Sequence, residues 1–278
     1  MDASKLCELK KLVTDVRIGT VEAVYNGKSG HPGGALSSAE VLTYLYFCEM
    51  NVDPQNPKME DRDRFVLSKG HSCPGLYSVL AHRGFFPVED LRLFRKCGSY
   101  LQGHPDMKKI PGVDMSTGSL GQGVSAACGM ALSAKISGKS YRTYALVGDG
   151  ESQEGQIWEA AMFAAHYGLD NLCVIVDKNR LQIDGPVEQV MNPNPHDAKF
   201  AAFGWHVIVI DGNDLEQVAK AFEEAKTVKG KPTVILANTI KGKGVSYMED
   251  KAEWHGKAPN EEEYKQAMAE LEAYKATL

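Results

Sequence analysis

Thr143-Tyr144-Ala145-Leu146-Val147-Gly148-Asp149-Gly150 and Leu172-Cys173-Val174-Ile175-Val176-Asp177-Lys178-Asn179-Arg180-Leu181 decide the fold. Each is a short apolar strand pattern that runs straight into polar turn residues. Between them, residues 154–167 carry helical spacing. A strand, a helix and a second strand, both strands apolar, predict a βαβ unit and hence a parallel sheet with right-handed crossovers. Working outward, His206–Asp211 reads as a strand, 214–229 as a helix and Pro232–Asn238 as a strand. Upstream, Arg64-Phe65-Val66-Leu67-Ser68 reads as a short buried strand closed by Lys69-Gly70-His71. Leu6, Leu9, Leu12, Val13, Val16 and Val21 give 4–25 an amphipathic helical pattern. The glycine cluster at 27–34 is expected to end that helix, with Ser37 or Ser38 capping another over roughly 38–49. Further helices are expected over 74–83, ending at Gly84, over 88–96, over 122–137 and in the charged tail 260–278. Residues 98–123 form a long irregular stretch, a length of loop that is usually functional or disordered. The fold class is α/β, a parallel β-sheet flanked by helices, in one domain spanning 1–278.

Composition narrows the function classes. A net charge of −5 argues against a broad basic face for nucleic acid. No stretch approaches the length of an apolar membrane span, and the N-terminus lacks a signal-like apolar region. Six cysteines without a C-x-x-C pair read as reduced, mostly packed thiols of a cytoplasmic protein. The 27 glycines are clustered, and several adjoin histidines: Gly30-His31, Gly70-His71, Gly103-His104 and His255-Gly256. Glycine admits a ligand close to the backbone, and histidine exchanges protons near neutral pH.

Chemistry concentrates at Gly148-Asp149-Gly150. In open parallel sheets ligands bind beyond the carboxyl ends of the strands, where Asp149 must sit. The flanking glycines leave backbone N–H groups free, and the helix starting near Glu154 favours an anion. Asn179 follows the next strand and belongs to the same edge. A carboxylate, an amide oxygen and a backbone carbonyl make a hard oxygen site suited to Mg²⁺ or Ca²⁺, with phosphate oxygens completing the shell. Taken singly, Gly-Asp-Gly is a common turn and Asn179 a common turn residue. There is no Walker loop, and Gly118–Gly123 has the wrong spacing for a dinucleotide fingerprint. His82, His166, His196 and His206, outside the glycine-flanked motifs, read as structural.

Gly148-Asp149-Gly150, Glu154-Gly155 and Asn179 resemble the thiamine diphosphate motif. Ser29-Gly30-His31-Pro32-Gly33, Leu67-Ser68-Lys69-Gly70-His71, Gly103-His104-Pro105, Thr117-Gly118-Ser119-Leu120-Gly121-Gln122-Gly123 and Trp254-His255-Gly256 occur in the order found in transketolases. The resemblance covers nearly the whole chain but only the diphosphate-binding domain of that family. It implies a thiamine diphosphate fold and cofactor, with a metal held by Asp149, Asn179 and the Leu181 carbonyl. The diphosphate would meet backbone near Gly118, Gly150 and Glu151. His71 resembles a histidine beside the diphosphate or thiazolium, where Leu120, Leu181, Ile183 and His255 would also lie; core packing is an equal reading for Leu181 and Ile183. Glu154 resembles the glutamate that couples paired sites across the subunit interface, or is a plain helix N-terminal carboxylate. His31, His104 and His255 resemble the substrate histidines, which bind hydroxyls of a two-carbon donor unit and shuttle protons. Such proton transfer works best near the working pH.

The family's glutamate that hydrogen-bonds the aminopyrimidine ring belongs to the pyrimidine-binding domain and has no match here. The resemblance therefore implies a C-terminal transketolase partner subunit, an α₂β₂ heterotetramer and sugar phosphate substrates, with no nucleic acid or membrane partner. Rival readings are a 1-deoxyxylulose-5-phosphate synthase-like subunit, an unusual-sugar transketolase-like subunit, and a non-catalytic cofactor-binding module.

Overall fold

A computed structural model describes residues 1–278. Seven strands form: β1 (Arg64–Leu67), β2 (Thr143–Gly148), β3 (Leu172–Lys178), β4 (Leu181–Gln182), β5 (Gly185–Pro186), β6 (His206–Asp211) and β7 (Thr233–Asn238). Five make one parallel sheet in the order β1-β2-β3-β7-β6, and β4 pairs with β5 as a small antiparallel hairpin. The helices are α1 (Ala3–Gly27), α2 (Pro32–Ser37), α3 (Ala39–Tyr44), α4 (Cys73–Arg83), α5 (Gln122–Ile136), α6 (Gly155–His166), α7 (Val187–Val190), α8 (His196–Ala202), α9 (Leu215–Thr227) and α10 (Glu261–Ala276).

Alternation along the strands builds two core layers. Phe65, Leu67, Tyr144, Leu146, Ile175 and Ile235 face a layer that includes α1, α3, α4 and α9. Val66, Ala145, Val147, Val174, Val176 and Leu236 face the other way, towards α5, α6 and α8. The central strands are buried on both faces, which is why they read as unbroken apolar runs. A third cluster, with Val21, Leu36, Trp254 and Leu271, fastens α10 across α1. In register, Gly148 lies opposite Asp177, and Asp177 opposite Ala237. The carboxyl ends of β2, β3 and β7 therefore finish level, and the turns leaving them share one crevice. No helix is long and apolar enough to cross a membrane.

The glycine cluster ends α1 at Gly27 as expected, but the chain turns helical again before Ser37. Residues 32–37 are helical, because Pro32 opens α2 at a position whose N–H would lack an intrahelical partner anyway. Gly33 and Gly34 serve close packing: a Cβ at 33 would stand 2.9 Å from the Trp254 carbonyl oxygen, and one at 34 would stand 2.9 Å from Ser72 Oγ. The helix expected over 38–49 is α3 followed by a wider π turn over Leu45–Glu49. Residues 88–93 form a 3₁₀ turn rather than an α-helix. All six cysteines are free, but only Cys73, Cys128 and Cys173 are buried, while Cys48 and Cys97 are exposed.

Candidate active site

Beyond the ends of β2, β3 and β7 lies a cavity of about 480 Å³. It gathers every residue singled out from the sequence: His31, His71, His104, Gly118, Leu120, Asp149, Gly150, Glu151, Glu154, Asn179, Leu181, Ile183 and His255. Lys69, Gln153, Gln182 and Lys241 also line it, and sequence reasoning gave them no role. Lys241 was within reach of the strand-end rule, since Thr239-Ile240-Lys241 follows β7 directly. Lys69 stands inside the Leu67–His71 motif, between the strand β1 and His71.

The oxygen set is assembled by backbone turns. Asp149 follows β2, and its carboxylate accepts from the Gly150 N–H at 2.8 Å and the Arg180 N–H at 2.5 Å. Arg180 adopts a left-handed φ of 64°, a cost commonly accepted at functional sites. Asn179 Nδ2 donates to Asp177 at 2.8 Å, and its Oδ1 accepts from the Leu181 N–H at 3.2 Å. The Leu181 carbonyl accepts from Lys241 Nζ at 2.8 Å. Burial, then the Asp177 charge, push the Asp149 carboxyl up to about 7. Its bonds come from backbone N–H groups, and no side-chain cation bonds to it. A buried carboxylate short of counter-charge, beside an amide oxygen and a main-chain carbonyl, fits a hard divalent cation by its donor chemistry.

Two buried acids brace this edge. Asp177 accepts from Lys69 Nζ at 2.5 Å, from Ser37 Oγ at 2.6 Å and from the Thr239 hydroxyl. Burial alone would raise its pKa, but the Lys69 ammonium and the hydroxyls hold it below the ordinary value. Glu151 accepts from Ser68 Oγ at 2.5 Å, the Gly121 N–H at 2.9 Å and the Gly148 N–H at 3.0 Å. Its side chain thus ties the 118–121 loop to the Gly148–Gly150 turn, although burial still raises its pKa. Two of the glycines that line the cavity have no room to spare. A Cβ at Gly118 would come 3.2 Å from the His104 ring, and one at Gly150 would come 3.2 Å from Gln182.

Three histidines converge opposite. The His31 and His71 ring centroids are 5.1 Å apart, those of His71 and His255 5.2 Å, and those of His31 and His255 5.5 Å. His255 Nδ1 bonds Lys241 Nζ at 2.9 Å, and His31 Nδ1 is buried without a partner. These surroundings hold the imidazoles below the ordinary histidine range. Burial first, then neighbouring positive groups, lower His31 to about 4, His71 to about 2 and His255 to about 3, and burial and Arg95 lower His104. At neutral pH the unliganded cavity presents uncharged imidazoles. Burial also lowers Lys241 to about 8.

Leu181 is half-buried and Ile183 is 65% exposed at the tip of the β4–β5 hairpin, so core packing does not explain Ile183. Glu154 is exposed at the cavity rim and precedes α6 without a side-chain cap bond. Outside the site, His196 is buried against Ser152 Oγ (2.7 Å) and Asn194 (3.1 Å), a structural role.

Residues 9–275 match the family model described as the thiamine diphosphate binding domain of transketolase. Among characterised relatives, the 6-deoxy-6-sulfo-D-fructose transketolase subunit SqwG of a Clostridium species is 48% identical over 95% of this chain and 96% of its own. One of the subunits of the apulose-4-phosphate transketolase of Phocaeicola vulgatus is 46% identical over 90% of this chain and 89% of its own. Human transketolase is 46% identical over 92% of this chain, which spans only 41% of that protein. Among solved structures, transketolase from Campylobacter jejuni superposes with a TM-score of 0.90 at 36% identity, covering 98% of this chain and 43% of that one.

Proposed function

The chain belongs to the transketolase family, in its thiamine diphosphate-binding domain, and on that premise we propose that it is the diphosphate-binding subunit of a split transketolase. With a C-terminal partner subunit carrying the pyrimidine-binding domain, it transfers a two-carbon ketol unit from a ketose phosphate to an aldose phosphate. The single domain 1–278 works in the cytoplasm, in an α₂β₂ heterotetramer. The observation that carries this reading is the single cavity lined both by Asp149, Asn179 and Leu181 and by His31, His71 and His255. Two relatives named as subunits are matched over nearly their whole length, which supports the division into two chains.

Asp149, Asn179 and the Leu181 carbonyl would hold Mg²⁺ or Ca²⁺, and backbone at Gly118, Gly150 and Glu151 would meet the diphosphate. Thiamine diphosphate, when bound, supplies the electron sink that breaking a ketose carbon–carbon bond requires. The protein's share is position and proton handling. Leu120, Leu181 and Ile183 offer apolar contact at the mouth, and His71 lies between the cofactor side and the substrate side. His31, His104 and His255, uncharged before ligands arrive, accept hydrogen bonds from substrate hydroxyls. As Brønsted bases they can take a hydroxyl proton and return it to an alkoxide. Glu154, exposed at the rim, faces outward to a second subunit.

Ketol transfer assayed with thiamine diphosphate and Mg²⁺ tests this, comparing the purified chain with the chain recovered together with its bound partner. Activity confined to the recovered complex supports the proposal. A second reading, an unusual-sugar transketolase, is favoured by the names of the two subunit relatives. A donor panel of sulfonated, branched and ordinary ketose phosphates separates the two readings, and use of pyruvate instead would point to the 1-deoxyxylulose-5-phosphate synthase class.

A further inference from the structure

Arg95 lies between two of the glycine–histidine motifs, and nothing in the sequence marked it. Its backbone sits at φ 57°, a region that non-glycine residues avoid. The turn is fixed nonetheless. The Arg95 N–H donates to the Leu101 carbonyl at 2.8 Å, Gln102 Nε2 donates to the Ser99 carbonyl at 2.8 Å, and the Tyr77 hydroxyl donates to the Gln102 carbonyl at 2.8 Å. Phe94 is fully buried under the first glycine cluster. A Cβ at Gly27 would stand 2.8 Å from the Phe94 carbonyl oxygen, and one at Gly30 would stand 3.0 Å from its ring.

From this base the guanidinium reaches both histidine loops. Arg95 Nη1 donates to Ser29 Oγ at 2.9 Å, two residues before His31. Its Cζ lies where a Cβ on Gly103 would come within 2.6 Å, one residue before His104. Arg95 Nε is buried without a partner, so the fork is held by contact with these loops rather than by an acid.

We propose that Arg95 is a positioning residue that clamps the His31 and His104 loops at a fixed spacing and sets a permanent positive charge beside both imidazoles. After burial, the Arg95 guanidinium is the largest cause of the lowered pKa of each. His31 also faces His71 and His255 across ring contacts and feels the charges of His104 and Lys241. His104 faces backbone at Gly118 and feels Arg95 as its charged neighbour. A guanidinium keeps its charge at every working pH. The catalytic consequence rests on the reading of His31 and His104 as substrate histidines; the clamp itself does not.

The test is a histidine titration by NMR on the full chain, comparing wild type with Arg95→Gln, Arg95→Lys and Gly103→Ala. The Gly103→Ala methyl displaces the guanidinium while leaving Arg95 present. In Arg95→Gln, His104 and His31 should titrate higher, by on the order of half a unit to one unit, as the loss of a nearby positive charge screened by an effective dielectric of about 20 or more implies. Gly103→Ala should shift both in the same direction, and Arg95→Lys should shift them least. In the partner-bound enzyme, kcat/KM should fall on the order of ten- to a hundredfold in Arg95→Gln and Gly103→Ala, with the pH profile moved upward. Unchanged titrations in a folded Arg95→Gln chain, or equal shifts in the lysine and glutamine variants, would overturn the proposal. If Arg95→Gln does not fold, the comparison of Gly103→Ala with wild type decides. Should ketol transfer be absent from the wild-type complex, the function fails while the titration still judges the clamp.

Discussion

Replacing Asp177 by asparagine probes the brace under the cavity. The Asp177 side chain is 1% exposed and that of Lys69 3%, and they pair at 2.5 Å. Ser37, Asn179 and Thr239 donate to the same carboxylate, and Lys69 Nζ is otherwise bonded to the Gly34 carbonyl at 2.7 Å and Ser38 Oγ at 3.4 Å. The asparagine brings an NH₂ group against these donors and leaves the buried ammonium with neutral acceptors only. Breaking one side of a buried pair typically costs about 3–5 kcal/mol. At about 2–4 °C per kcal/mol for a chain of this size class, Tm should fall by about 6–20 °C. The folded pKa of Asp177 lies below its ordinary value, so the wild-type contribution is full above about pH 4 and is lost as the pH falls further. Urea unfolding of the ligand-free chain at pH 7.5, followed by circular dichroism, measures the loss. Adding Lys69→Gln should recover part of it by removing the stranded charge. A loss under about 1 kcal/mol, the range of an exposed ion pair, would refute the reasoning, as would a double variant no better than the single.

Glu151→Gln should cost about 1–3 kcal/mol in urea unfolding, because an amide cannot accept from Ser68, Gly121 and Gly148 together; a neutral result would show that the loop tie is dispensable. His31, His71, His196 and His255 are lowered to about 4, 2, 4 and 3 in the fold. Because folded values lie below unfolded ones, their contribution is full above about pH 6.5 and is lost as the pH falls towards these values. The urea midpoint should therefore drop between pH 7 and pH 5, and a flat profile would contradict neutral burial. Ile183→Asp, at a position 65% exposed, should leave stability within about 0.5 kcal/mol yet reduce ketol transfer by the complex. Unchanged activity would remove Ile183 from the site.

The sheet was legible because β2, β3, β6 and β7 are apolar runs separated by helical spacing; β2, β3 and β7 carry the signature of strands buried on both faces, while β6 is the half-exposed edge. The same reading located the edge that carries Asp149 and Asn179, since a strand end fixes where its next residue lies. What escaped depended on partners far apart in the chain. Gly33 and Gly34 look like loop residues until Trp254 and Ser72 arrive against them, and Pro32 marked the start of α2 rather than the end of a turn. Lys241 lies on the same edge and was within reach of the same rule, but only its burial in the fold sets it apart from an ordinary solvated lysine. The lowered histidine pKa values are hidden from the sequence for a similar reason. Adjacent glycines in sequence suggest access, whereas in the fold they let other groups crowd in and exclude solvent.

The proposed function makes this chain the cofactor half of a two-chain ketol-transfer site. The most direct measurement is ketol transfer by the chain reconstituted with its partner, with thiamine diphosphate and Mg²⁺ present, beside the chain alone. Transfer by the pair, abolished by Asp149→Asn, with none from the single chain, is the predicted result. Full activity from the single chain, or none from a correctly assembled pair given every class of ketose phosphate, would contradict it.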